Sequence, residues 1–219
     1  VVDVGMHIGG FCLEALRRGA GRVLGFEAER SNFDYAAANL RAFGDRARLA
    51  NKAVWRSDVK IDRLVFTPSY DAANTGGGGM IFWHGRGQAE QEVEAVAFDD
   101  VIREATGRGR SRVRLLKIDC EGSEFPILLT SKTLHRIDAI VGEFHEVGGP
   151  FDDHPMPEHA RIPGVDRFTI EILADALRRA GFDVDWTRHP GSFLGLFAAE
   201  RTRRPSLLAR LLAGRGRRA

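Results

Sequence analysis

Two rhythms alternate along the first part of the chain, short β-branched runs and apolar stretches at helical spacing. Val1 to Val4 reads as a buried strand, and Ile8, Phe11, Cys12, Ala15 and Leu16 share one face of a helix that Gly19 ends. Arg22 to Phe26 predicts a second strand. Ser31, with Asp34 three residues on, resembles a capping box that opens a helix through Phe33, Ala37 and Leu40 to Gly44. Arg48 to Trp55 predicts a third strand. A βαβα rhythm of this kind builds a parallel sheet with helices on both faces.

The rhythm breaks after Lys60. Ile61 to Phe66 and Val93 to Ala97 predict two strands of an insertion over about residues 60–97, with the glycine-rich stretches Asn74 to Gly79 and Gly85-Arg86-Gly87 between them. Such a glycine run describes flexibility rather than a ligand. Asp99 to Ala105 predicts a short helix before the core pattern resumes with the strand Val113 to Ile118. A helix follows Ser123, with Pro126 tolerated in its first turn, and Ala139 to Phe144 predicts a further strand. Residues 146–168, rich in Pro, Gly, Asp and His without periodicity, predict a long loop suited to act as a substrate lid. After a helix from Thr169 to Ala180, Val184 to Trp186 and Phe193 to Ala199 predict an antiparallel pair at a sheet edge, joined at His189-Pro190-Gly191-Ser192. The expected fold class is therefore α/β: a seven-stranded, mostly parallel, doubly wound sheet with an antiparallel terminal strand. It fills one domain over residues 1–200, followed by a tail over 201–219.

Length and composition agree with one ordinary domain: 219 residues, 43% apolar and 28% charged. No apolar run approaches the roughly 18 residues of a membrane span, and no charged-then-apolar leader precedes the first strand. A cytoplasmic location is the expectation. It agrees with the only cysteines, Cys12 and Cys120, which form neither a disulfide framework nor a zinc pair. The net charge of +2 hides an asymmetry, because residues 201–219 hold seven arginines and no acid, leaving the first 200 residues at −5. A mildly acidic body lacks the basic footprint of a nucleic-acid binder, so no nucleic-acid partner is expected. The tail, Pro205 to Leu212 followed by Arg215, Arg217 and Arg218, suits either a short basic amphipathic helix in weak contact with an anionic membrane or a frayed end. Oligomeric state has no signal in the sequence.

In parallel α/β sheets ligands bind beyond the carboxyl ends of the strands, so the residues ending each strand carry the information. Asp3-Val4-Gly5-Met6-His7-Ile8-Gly9 is a D-x-G-x-x-x-G turn whose glycines let backbone approach a ligand. Its spacing is not G-x-G-x-x-G, and no hydride-transfer constellation accompanies it, which counts against a dinucleotide dehydrogenase. Glu27 ends the second strand about 20 residues on, where an acid accepts hydrogen bonds from a ribose diol. Turn and acid together point to a nucleoside-containing cofactor. Asp119 and Glu121 straddle Cys120 just past a buried strand, and Glu143 and His145 close another. Strand-end carboxylates are costly to bury without donors, so these groups are expected to face a polar cleft beside Asp3.

Taken in order, these segments resemble the S-adenosylmethionine-dependent methyltransferases of the Rossmann-like class, and within them the FkbM type. The resemblance runs through Val2-Asp3-Val4-Gly5 with Ile8-Gly9, Phe26-Glu27, Asn39, Asn51 to Val54, and Phe98-Asp99-Asp100. It continues through Leu116 to Glu124, whose K-I-D-x-E-G-x-E run is the most specific part, and Val141 to His145. It implies S-adenosyl-L-methionine as cofactor, with the turn of Asp3, Gly5, His7 and Gly9 around the methionine moiety and Glu27 on the ribose hydroxyls. Asn51 and Ala53 would lie by the adenine, and Asp119 near the sulfonium and the acceptor. The family's first motif usually reads D-V-G-A-N-x-G; here Met6-His7 replace Ala-Asn, and His7 is the substitute donor.

The acceptor expected from this resemblance is a hydroxyl of a small molecule, sugar, glycolipid or natural product. The N/D-P-P-Y/F motif of the branch that methylates nucleic-acid amino groups is missing. An alcohol gives up its proton reluctantly, so a base is useful. His145 is the first candidate, Glu143 or Asp119 its orienting partner or alternative, and His154 a third. Two other readings stand beside this one. Asp119, Glu121, Glu143 and His145 suit a hard divalent cation such as magnesium, and the domain is alternatively a non-catalytic cofactor-binding or scaffold module of the same fold.

Overall fold

Apolar runs too short to make helices are drawn into buried strands, and the amphipathic stretches between them lie over the sheet. The computed structural model describes residues 1–69, 74–82, 90–152 and 154–202. Its first half holds β1 (Val2–Val4), α1 (Gly10–Arg17), β2 (Val23–Phe26), α2 (Arg30–Leu40), β3 (Ala47–Ala50), β4 (Ala53–Trp55), β5 (Arg63–Phe66) and β6 (Gln91–Ala97). Its second half holds α3 (Phe98–Ala105), β7 (Leu116–Ile118), α4 (Glu124–Thr130), β8 (Ala139–His145), α5 (Ile170–Arg179), β9 (Phe182–Arg188) and β10 (Leu194–Arg201).

Seven strands form the main sheet in the order β3-β2-β1-β7-β8-β10-β9. Only β10 is antiparallel to its neighbours, β8 and β9, so the expected terminal pair sits at one edge. Every strand that ends at the cleft therefore points the same way, except β10, which begins there with Leu194 opposite His145. Met6, Cys12, Leu16, Val23, Ala36 and Leu40 form the smaller apolar cluster, beneath α1 and α2. The larger cluster includes Leu116, Ile118, Ile140 and Phe144 with Phe125 and Leu173.

Two local expectations are corrected. The run Arg48 to Trp55 is not one strand. It divides at Asn51, whose side-chain amide donates to the carbonyls of Glu27 at 2.9 Å and Ala28 at 3.0 Å. Beyond that tie the chain enters a second sheet of order β4-β6-β5, with β4 parallel and β5 antiparallel to β6. The cap of α2 is Glu29, not Ser31; its Oε2 accepts the Asn32 N–H at 2.7 Å and the Ser31 hydroxyl at 2.6 Å. Within the irregular segment after β8, Val147, Ala160 and Phe168 are fully buried, and the Phe168 ring stacks on Phe125 with centroids 5.2 Å apart. Gly85-Arg86-Gly87 and tail residues 203–219 lie outside the described residues. Among the described residues no helix is long and apolar enough to cross a membrane.

Candidate active site

A cleft of about 490 Å³ opens where β1, β2, β7 and β8 end. Gly5, His7, Glu27, Ala53, Asp119, Glu121, Glu143 and His145 line it, whereas Asp3, Gly9 and Asn51 do not.

The first turn shows why. Gly5, His7 and Gly9 take φ of 74°, 52° and 82°, left-handed at alternate positions. A Cβ on Gly5 would stand 1.8 Å from the Asp119 carbonyl oxygen, so only glycine lets the end of β1 pass so close to the end of β7. His is one of the few side chains besides Asn that enter the left-handed region readily, which makes His7 compatible with the turn. Its N–H donates to Glu27 Oε2 at 2.8 Å, and its Nε2 lies 2.7 Å from Thr75 Oγ1. Gly9 instead caps α1 and packs on Ala36 and Leu40.

Asp3 supports the turn from beneath. Its carboxyl is fully buried, accepts the Cys12 thiol at 3.2 Å and lies 3.4 Å from Lys117 Nζ. That ammonium also donates to the Gly5 carbonyl at 2.5 Å and lies 3.5 Å from Asp119 Oδ2. Burial pushes the pKa of Asp3 up against the pull of Lys117, and it pushes the Cys12 thiol far above its ordinary range. Asp3 thus bears on the cleft only indirectly, through Lys117, which holds the Gly5 carbonyl.

Glu27 faces the cleft directly. Its Oε2 takes the His7 N–H and its Oε1 the Glu29 N–H at 2.9 Å. Burial raises its pKa and the two amides oppose that rise. The two backbone donors fix the carboxylate, while each oxygen keeps capacity for a further hydrogen bond. Asn51 is a tie between strand ends, as described above. Asn32, which the sequence did not single out, donates from Nδ2 to the Thr75 carbonyl at 2.8 Å and lines the same wall.

Thr75 belongs to the glycine-rich stretch. Thr67 and Gly79 exchange backbone hydrogen bonds at 2.9 and 3.0 Å, and a Cβ on Gly79 would lie 3.0 Å from Cβ of Glu121. The glycines of residues 76–79 therefore form a wall of the cleft, which the sequence pattern did not foretell. None of the described residues of 146–168 lines it. His154 is among those apart from it, hydrogen-bonded to Asp152 and edge-on to Phe82.

The far end of the cleft is built around His145. Its Nε2 lies 3.4 Å from Glu121 Oε2 and its Nδ1 3.4 Å from Glu124 Oε1, which also accepts the Cys120 N–H at 2.7 Å. Glu121 adopts φ 51°, a left-handed backbone that non-glycine residues hold only under constraint. Glu124 is fully buried and has no counterpart among the expected site residues, although it closes the K-I-D-x-E-G-x-E run. Burial pulls the pKa of His145 down, but Glu124, Glu121 and Glu143 outweigh it and lift the imidazole to about 9. It is a cation at neutral pH. Burial lifts Glu121 to about 7 against the pull of His145, and burial also raises Glu143. Asp119, Glu124 and His145 present ligand atoms within 4.8 Å of one another, so Glu124 enters the set that could hold a cation.

The residues fit S-adenosylmethionine. Glu27, an anchored acid, suits the ribose diol; Asp119, Glu121 and Glu143 suit a positively charged sulfur, and the volume lies within the range of small-ligand sites. The strand order, the glycine turn and the strand-end acid define the Rossmann-like methyltransferase class. Residues 3–184 match the family described as the Methyltransferase FkbM domain; the chain belongs to that family and is an S-adenosylmethionine-dependent methyltransferase. No match was found among curated proteins.

Solved structures resemble it at low identity. M. capricolum TrmK bound to S-adenosyl-homocysteine is 7% identical, with a TM-score of 0.47 over 96% of this chain and 65% of that one. Streptococcus pneumoniae Sp1610 with S-adenosyl-L-methionine is 12% identical, with a TM-score of 0.46 over 95% and 70%. An rRNA methylase from Streptococcus thermophilus is 10% identical, with a TM-score of 0.44 over 92% and 86%.

Proposed function

We propose that the protein methylates a hydroxyl of a small-molecule or carbohydrate acceptor. The observation that carries this reading is the Glu121 carboxyl, held in the cleft wall beside a cationic His145. When bound, S-adenosylmethionine supplies a methyl group on a positively charged sulfur that leaves as a neutral thioether. Glu27 would hold the ribose hydroxyls, Ala53 and Lys52 would border the adenine, and the Gly5–His7 turn would enclose the methionine end. Asp119, which lines the cleft beside the Gly5 turn, would lie near the sulfonium.

The hydroxyl must lose its proton as the new bond forms. A protonated imidazole cannot take it, so we assign the base to Glu121 rather than to His145. With a pKa of about 7, Glu121 is substantially ionised at neutral pH and still basic enough to accept a proton. His145 becomes its positive partner, oriented from behind by Glu124. Alignment of oxygen and methyl carbon supplies the remainder of the effect. Four carboxylates against Lys52 and His145 also repel a polyphosphate chain, which favours a hydroxylated, weakly charged acceptor over nucleic acid.

Methyl-labelled cofactor, offered with a panel of sugars, polyols and phenolic or polyketide alcohols alongside RNA, tests the reading. Label is expected in a hydroxylated compound as an alkali-stable ether; label confined to RNA contradicts it. A second reading, a bound divalent cation, is favoured by the approach of Asp119, Glu124 and His145. Turnover should survive complete chelation if Glu121 acts alone. Loss restored by magnesium or manganese would support the cation instead.

A further inference from the structure

The hydrogen bonds around Glu27 close into a ring. Its Oε2 accepts the His7 N–H at 2.8 Å, and the His7 side chain continues from Nε2 to Thr75 Oγ1 at 2.7 Å. The Thr75 carbonyl accepts from Asn32 Nδ2 at 2.8 Å, and the Asn32 N–H donates to Glu29 Oε2 at 2.7 Å. The Glu29 N–H then donates back to Glu27 Oε1 at 2.9 Å. His7, Glu27, Glu29 and Asn32 all belong to the β1-α1-β2-α2 unit. Thr75 is the one member drawn from the insertion, and both its hydroxyl and its carbonyl are engaged.

What Thr75 ties to that unit is a closely fitted strip of backbone. A Cβ on Gly78 would stand 2.6 Å from the Phe66 ring, and one on Gly79 3.0 Å from Glu121 Cβ. The strip thus lies against protein on one side and lines the cleft on the other, from Thr75 beside His7 to Gly79 beside Glu121. Its far end is fixed by the backbone exchange of Thr67 with Gly79, its near end by Thr75. Glu27, His7, Asn32 and Thr75 line the same cleft, so the ring is at the surface of the site and not in the core. Thr75 is exposed in the free protein, where water can replace its hydroxyl bond at small net cost. A ligand that covers the bond removes that alternative, and a wall already in place lowers the ordering cost of binding.

We propose that His7 and Thr75 are positioning residues for the methyl donor: their side-chain hydrogen bond holds the glycine strip against the wall that carries Glu27, so that the nucleoside enters a preformed slot. One residue serves both walls, since the His7 N–H fixes the acid and the His7 ring fixes the strip. The inference rests on the placement of the donor at Glu27 given above and is independent of the acceptor.

Calorimetric titration of the full chain with S-adenosylhomocysteine tests it. Thr75→Val removes the hydroxyl at nearly constant shape. His7→Asn suits the left-handed backbone and keeps the N–H to Glu27, but its side chain ends one bond short of Thr75. Each is expected to weaken binding by about fivefold. The two together should be no weaker than either alone, because the same bond is lost in all three. Thr75→Ser restores a hydroxyl and should bind as the wild type does, and thermal melting of the free variants should match that of the wild type. Thr75→Val binding at full strength, Thr75→Ser binding as weakly as Thr75→Val, or full additivity of the two substitutions would overturn the proposal while leaving Glu27 in place. Lowered melting of the free Thr75→Val variant would assign the bond to the fold instead. Undiminished binding in Glu27→Ala would overturn the placement of the donor itself, and the proposal with it.

Discussion

Glu121 has three properties that few carboxylates combine: a left-handed backbone, a place in the cleft wall and a cationic imidazole 3.4 Å away. Glu121→Gln should lower kcat by about 10²–10⁴-fold with cofactor affinity kept, read by steady-state kinetics and calorimetry. The sign of the pH dependence follows from its proposed role as base. A base works only after losing its proton, so wild-type rate should rise as pH passes through about 7, and the glutamine variant should lack that rise. A flat wild-type profile between pH 6 and 8 would remove Glu121 from the chemistry. At this scale Glu27, Asp119, Glu143 and His145 were legible because strand ends in a parallel sheet converge. Glu124 and Asn32 were not, since their roles rest on contacts to Cys120, His145 and Thr75 that neighbouring residues in sequence do not reveal. Asp3 was legible as a strand end, but the direction of its carboxyl, down onto Lys117, was not.

Elements were read well where one periodicity dominated. β1, β2, β7 and β8 are short, mostly apolar runs interrupted only by Asp3, Lys117 and the Glu143–His145 end, a pattern that suits central parallel strands, and the Pro-Gly turn announced the β9–β10 hairpin. The run Arg48 to Trp55 misled because hydrophobicity cannot say to which sheet a strand belongs; the Asn51 amide decides it. The glycine-rich stretch misled for the reverse reason. Glycine marks both freedom and close approach, and here Gly79 lies against Glu121. The first turn gives a firm test of close approach. Gly5→Ala combines φ 74° with a Cβ 1.8 Å from a carbonyl oxygen, and should destabilise the fold by about 3 kcal/mol in denaturant melts. A loss within experimental error would mean that the ends of β1 and β7 are not so close.

At the scale of the whole molecule, charge is divided: carboxylates gather around the cleft and arginines at the opposite end of the strands. The net value of +2 conceals this, because the sum over a chain carries no geometry. The seven-stranded order and the FkbM match over residues 3–184 define the methyltransferase fold, and the carboxylate of Glu27, fixed by two backbone amides, is the anchor proposed for the methyl donor. Calorimetric titration with S-adenosylhomocysteine tests that anchor most directly. One site per chain is expected, weakened by about 100-fold in Glu27→Ala, in line with two lost charge-assisted hydrogen bonds, while thermal melting confirms that the variant remains folded. Absence of any binding heat in the wild type, or equal affinity in the folded variant, would contradict it.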